Sequence, residues 1–148
     1  MNDWSNYDQP VPQAMRTGIR VYYEDTDAAG IVYYANYFRF IERGRTEFLR
    51  CLGYDQNALM KDGIAFAVRS ASAEFLKPAK LDDLLTVETA IAALGRAQVT
   101  FAQRILRDTE PLLDAKIRVA CIDPARGRPI AMPRTLHQQF TALSEPSR

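Results

Sequence analysis

The feature that most constrains the fold is a change of hydrophobic period part-way along the chain. Tyr37, Phe40, Ile41, Gly44, Phe48, Cys51 and Leu52 recur at helical spacings of three, four and seven. They form one apolar stripe, while Arg39, Glu42, Arg43, Glu47 and Arg50 lie off it or at its edge. Gly44 inside the stripe costs about 1 kcal/mol against alanine, which a close approach by another backbone would explain. Gly53 follows as a stop signal. From Ile64 the period becomes two: Ile64, Phe66 and Val68 alternate onward to Phe75, then Leu85, Val87, Thr89 and Ile91, then Val99, Phe101, Gln103 and Ile105, then Leu113, Ala115, Ile117, Val119 and Cys121. Each run ends at a turn signal: Pro78 with Asp82-Asp83, Gly95, Asp108 to Pro111, and Asp123-Pro124. One long helix beside four strands with short connections predicts an α+β fold, in which an antiparallel meander carries the helix on one face.

The flanks are weaker in pattern. Residues 1–16 are polar, with Pro10 and Pro12, and read as a flexible tail. Residues 17–143 read as a single domain and 144–148 as a C-terminal tail. Ile19, Val21 and Tyr23 predict a first strand, Tyr54 to Asp62 a short second helix ended by Gly63, and Arg134 to Leu143 a closing helix after a loop from Arg126 to Pro133.

Charge and residue counts exclude several functions. Nineteen basic and 18 acidic residues leave a net charge of +1, without the strongly basic character of a nucleic-acid binder. The longest uncharged run, Ala28 to Phe38, has 11 residues, against about 20 for a membrane span. The first residues lack the basic and apolar regions of a secretory signal. Two cysteines, Cys51 and Cys121, make no disulfide framework, and cytoplasmic placement is the expectation. With His137 the single histidine, in a polar stretch, a zinc site or a Cys-His or Ser-His pair is disfavoured, and a solvated histidine is the simpler reading.

Three acids, Glu24, Asp25 and Asp27, stand between the first strand and the long helix, followed by the small residues Ala28, Ala29 and Gly30. Small residues let a ligand approach the backbone, and a helix N-terminus offers unpaired N–H groups. A carboxylate there can attack or deprotonate while the amides steady an oxyanion, which suits acyl transfer or hydrolysis. From spacing alone, simple capping of the helix by acids that face solvent is the plainer reading. Asp25-Thr26-Asp27 also has the form of a metal-binding pair, but no phosphate-binding glycine loop accompanies it.

The run Val21-Tyr22-Tyr23-Glu24-Asp25-Thr26-Asp27-Ala28-Ala29-Gly30-Ile31-Val32-Tyr33-Tyr34-Ala35-Asn36-Tyr37 resembles the signature of the 4-hydroxybenzoyl-CoA thioesterase family, which has the hotdog fold. The likeness continues through Phe40 to Glu47, Phe75 to Asp83 and Cys121 to Pro124, and is strongest to the Tol-Pal system-associated acyl-CoA thioesterases. The resemblance implies an antiparallel sheet wrapped round one helix, and a dimer joined edge to edge, often paired into a homotetramer, with active sites between subunits. It implies Asp27 as nucleophile or general base on a small or medium acyl-CoA, and the Tyr34 amide as donor to the thioester oxygen. Gly30 shapes the turn, with Ile31, Val32 and Tyr33 beside the substrate. Arg96 and Arg126 are candidates for the CoA phosphates, as guanidinium forks suit phosphate. No metal or bound cofactor is implied. Tyr34 matches the benzoyl-CoA-type members, where many of the Tol-Pal-associated branch carry histidine. An alternative is a module that binds acyl-CoA or acyl carrier protein in envelope lipid metabolism, peripheral to the inner membrane. A dehydratase of the same fold would need a histidine near the acid, and His137 is far along the chain.

Overall fold

The computed structural model describes residues 14–144. In chain order the elements are β1 (Met15–Arg20), a 3-10 turn (Tyr23–Asp25), α1 (Asn36–Cys51), α2 (Gln56–Lys61), β2 (Ala65–Phe75), β3 (Leu84–Leu94), β4 (Gln98–Arg107), β5 (Glu110–Asp123), the two-residue β6 (Arg128–Pro129) and α3 (Arg134–Ser144). The sheet runs β1-β3-β4-β5-β2, with β6 beside the end of β5, and every pairing is antiparallel. Met15 and Arg16, read above as tail, already pair with Thr89 and Glu88. Residues 1–13 and 145–148 lie outside the described residues.

The four strands do not form one meander. Only β3, β4 and β5 follow one another in space, whereas β2 lies beyond β5. The reason is the segment 76–83, too long for a hairpin turn, which crosses the end of the sheet. Leu76 and Lys77 N–H groups donate to the Leu112 carbonyl, and Arg107 holds both the Pro78 carbonyl and the Asp83 carboxylate, at 3.3 and 2.8 Å. Alternation along the sequence gives each strand's faces but not its neighbours. As a result β2 bonds to β5 alone and is largely exposed.

Helix α1 packs its apolar stripe into the curled sheet. Tyr37, Phe40, Ile41, Gly44, Phe48 and Leu49 are buried, while Cys51 is exposed and Leu49 takes its place. The helix ends in a Schellman arrangement: Gly53, at φ +89°, donates to the Arg50 carbonyl, and Tyr54 donates to Leu49. At Gly44 an added Cβ would sit 2.7 Å from Val87 Cγ1 and 2.8 Å from Thr89 Oγ1. The glycine therefore admits strand side chains, not a second backbone. Beside it lies Gln103, whose amide donates to the Ile41 carbonyl at 2.8 Å and to Thr89 Oγ1 at 2.9 Å, while its oxygen accepts from Arg45 at 3.0 Å. These bonds tie α1 to β3 and β4 across the buried face, beside the close fit at Gly44.

Candidate active site

The loop between β1 and α1 is built by its own backbone. The Asp27 N–H donates to the Ile31 carbonyl and the Gly30 N–H to the Asp27 carbonyl, closing a tight turn with Gly30 at φ +78°. Asp27 Oδ1 accepts from the Ala29 N–H at 2.9 Å, which holds the exposed carboxylate in place. Thr26 bridges to Val32 and Ile31 to Lys80, tying the turn to the segment before β3. Asp25 plays a structural part: its carboxylate accepts from the Tyr22 N–H, and its carbonyl accepts from the Tyr33 N–H and the Asn36 side chain. Glu24 is exposed. Among the described residues, the Tyr34 N–H donates to no acceptor, while the neighbouring N–H groups of Tyr33 and Asn36 are used. A free amide thus stands at the head of α1, where the helix dipole is positive.

The support behind this loop is firm. Ala79 is buried, donates to Tyr37 Oη at 2.9 Å and accepts from the Val32 N–H at 2.9 Å. Burial pushes the Tyr37 phenol above its ordinary value, against the Ala79 N–H, so it remains neutral. Tyr33, Tyr34, Tyr37, Phe38 and Phe75 form a ring cluster, with Tyr34 and Phe75 centroids 6.2 Å apart. Tyr34 is nevertheless 61% exposed, so this side of the loop faces outward.

The structure brings Gly30, Ile31, Val32, Tyr33 and Tyr34 to Asp27, but not Arg96 or Arg126. Arg96 sits in the β3–β4 hairpin and Arg126 in the turn between β5 and β6, at the opposite end of the sheet. One β3 length, on the order of 30 Å, separates them from the Asp27 loop of the same chain. Arg126 approaches Asp123 at 3.9 Å, and Arg96 shares a surface hollow with Arg134 and the half-buried His137. No group of three or more metal-ligating side chains occurs among the described residues.

A second feature escaped the sequence reading. A cavity of about 220 Å3 opens between α1 and the β2 side of the sheet, lined by Leu49, Phe66, Phe101 and Phe140 with Arg45 and Glu42. The legible signal was Gln103, a polar residue at an inward position between Phe101 and Ile105; it is fully buried and holds Arg45.

With this geometry in view, the comparisons with known proteins are specific. The profile of the thioesterase-like superfamily matches residues 21–140. The chain belongs to the thioesterase-like superfamily. It is similar to the acyl-CoA thioester hydrolase YbgC of Escherichia coli O6:H1, at 44% identity over 126 residues, covering 84% of this chain and 94% of that protein. Among solved structures, a probable thioesterase from Bartonella henselae is 38% identical with TM-score 0.77, covering 81% of this chain and 99% of the other. A 1,4-dihydroxy-2-naphthoyl-CoA thioesterase from Synechocystis shares the fold at TM-score 0.82 and 21% identity, over 90% of this chain and 99% of the other. The expected hotdog fold is therefore the observed one, and this thioesterase-superfamily member is an enzyme, a thioester hydrolase.

Proposed function

We propose that the chain hydrolyses small or medium acyl-CoA thioesters, with Asp27 as the catalytic carboxylate and the Tyr34 N–H as donor to the carbonyl oxygen. The observation that carries this reading is the unused Tyr34 N–H at the head of α1, in the same loop as the held Asp27 carboxylate. As negative charge develops on the thioester oxygen, the amide and the helix dipole stabilise it. Acting as base, Asp27 takes a proton from the water that adds to the carbonyl, and the C–S bond breaks to release CoA thiol. Acting as nucleophile, it attacks the carbonyl carbon, the C–S bond breaks to release CoA thiolate that takes a proton from water, and a further water opens the resulting acyl anhydride to free acid and the Asp27 carboxylate. Neither route needs a metal or cofactor.

The exposed β2 edge supports a dimer as the working unit. Bare edge strands are generally paired or blocked. Two β2 strands joined about a two-fold axis near their midpoint at Ser70 run antiparallel, so that Phe75 of one copy lies near Ala65 of the other. Ala65 pairs with Ile122, at the end of the sheet that carries Arg96 and Arg126. Edge pairing therefore puts one copy's arginines near the other copy's Asp27, where CoA phosphates would lie. A homotetramer is a further pairing of such dimers. The carrier thiol is CoA or acyl carrier protein, and the unpaired cysteines and the lack of a membrane-spanning helix among the described residues fit a cytoplasmic enzyme.

The test is release of free thiol from aliphatic and aromatic acyl-CoAs and from acyl carrier protein thioesters. Asp27→Asn is expected to lower kcat by at least about a hundredfold with the far-UV spectrum intact. Near-normal turnover by that variant refutes the role of Asp27. Tight acyl-CoA binding with no turnover on any substrate supports the binding-module alternative instead.

A further inference from the structure

The cavity beneath α1 has an unusual composition. Leu49, Phe66, Phe101 and Phe140 give it apolar walls, Thr46, Gln56 and Glu42 add polar groups, and Arg45 reaches into it. Among the described residues Arg45 makes no ion pair. Its one hydrogen bond runs to Gln103 Oε1 at 3.0 Å. Gln103 is fully buried and spends its amide hydrogens on the Ile41 carbonyl and Thr89 Oγ1, so its oxygen is committed to face Arg45. The guanidinium is thus held at one corner and has four of its five N–H donors unused. Burial pulls its pKa below the ordinary value, only partly opposed by the charge of Glu42 one turn earlier. A fixed guanidinium against apolar walls is a receptor for a planar anion with an apolar body.

We infer that Arg45 anchors a carboxylate at the far end of a short acyl group, so that half-thioesters of dicarboxylic acids are substrates of this chain. This rests on the thioesterase reading above. A carboxylate fits better than a phosphate: one cation matches one negative charge, and with the Glu42 carboxylate on the same lining a dianion leaves the larger excess of negative charge. The volume, about 220 Å3, lies below the 300–1,000 Å3 of drug-sized ligand sites and admits only a short group. The placement also fits the reaction. Pairing along β2 brings Phe75 of the partner subunit near Ala65 and Phe66, and Phe66 lines the cavity. Tyr34 packs on Phe75 within each chain, so the partner's Asp27 loop comes to the cavity mouth. An acyl group whose carbonyl sits at that loop extends its far end toward Arg45.

The experiment measures kcat/KM of the full chain for succinyl-, glutaryl- and adipyl-CoA against butyryl- and hexanoyl-CoA. At the best length the carboxylated substrate is expected to exceed its apolar counterpart by about tenfold or more, the scale of one charged hydrogen-bonded pair. Arg45→Met is expected to erase or reverse that ratio, and Arg45→Lys to keep part of it. The proposal is overturned if no carboxylated substrate is favoured at any length, or if Arg45→Met lowers both classes equally. Should Arg45→Met fail to fold, the wild-type ratio and Arg45→Lys decide. If the wild type hydrolyses nothing, the thioesterase reading fails separately. Calorimetric binding of glutaryl-CoA against hexanoyl-CoA then decides the anchor, and equal affinities refute it.

Discussion

Replacing Gln103 by leucine removes the polar tie between α1 and the sheet while keeping the side-chain volume similar. Three hydrogen bonds are lost: to the Ile41 carbonyl at 2.8 Å, to Thr89 Oγ1 at 2.9 Å and from Arg45 at 3.0 Å. The two neutral bonds are worth about 1 kcal/mol each, and the bond to the charged group about 1.5–3 kcal/mol. The buried leucine returns roughly 1–2 kcal/mol of apolar transfer. The net loss is about 2–3 kcal/mol, or a fall in Tm of about 4–12 °C for a chain of this size. Urea and thermal melts followed by far-UV circular dichroism, at fixed protein concentration because association shifts the midpoint, measure it. The denaturant slope should be unchanged. In the double variant with Arg45→Met the losses should sum to less than the two single effects, since the shared bond is lost once. A loss below about 1 kcal/mol, or a gain, refutes the reasoning, because it means apolar packing alone seats α1.

Further predictions concern charge, thiols and the sheet edge. Burial pushes the Asp83 carboxyl up, but the Lys80 N–H and the Arg107 guanidinium outweigh it and hold the pKa below the ordinary carboxylate value. Its stabilisation is therefore present above an unfolded pKa near 3.9 and is lost as pH falls through the lower folded value. Asp83→Asn should lower stability at neutral pH and flatten this part of the acid limb; an acid limb identical to wild type counts against the contact. Cys51 is exposed and Cys121 buried, with burial raising the Cys121 thiol. A thiol reagent should therefore label one cysteine in the native protein and both after unfolding, and rapid native labelling of Cys121 contradicts the packing around β5. Introducing Ser70→Lys and Ser72→Lys on the exposed β2 edge should reduce the mass seen by sedimentation and, if the site spans two copies, the thioester turnover as well. A fully active monomer refutes the shared site.

Residue pattern by itself determined the main elements and pointed to the acidic loop before the helix. The three-and-four spacing from Tyr37 to Leu52 can bury one face only as a helix, and the alternation after Ile64 can do so only as strands, because these periods are set by backbone geometry. The spacing of Asp27 and Gly30 before the helix made the loop legible, since its turn is closed by bonds among residues 27–31. Tertiary structure decided everything that depends on which surfaces meet. It moved β2 beyond β5, because an eight-residue crossover is compatible with several strand orders, and the β2–β5 ladder together with the Arg107 and Leu112 contacts belongs to the one observed. It set Arg96 and Arg126 a strand length from their chain's own Asp27, a separation no local pattern encodes. It also joined Arg45 to Gln103, 58 residues apart in sequence, and opened a cavity beside the guanidinium. Local periodicity reports how a segment turns its own faces, whereas long-range pairing depends on the summed fit of segments remote in sequence.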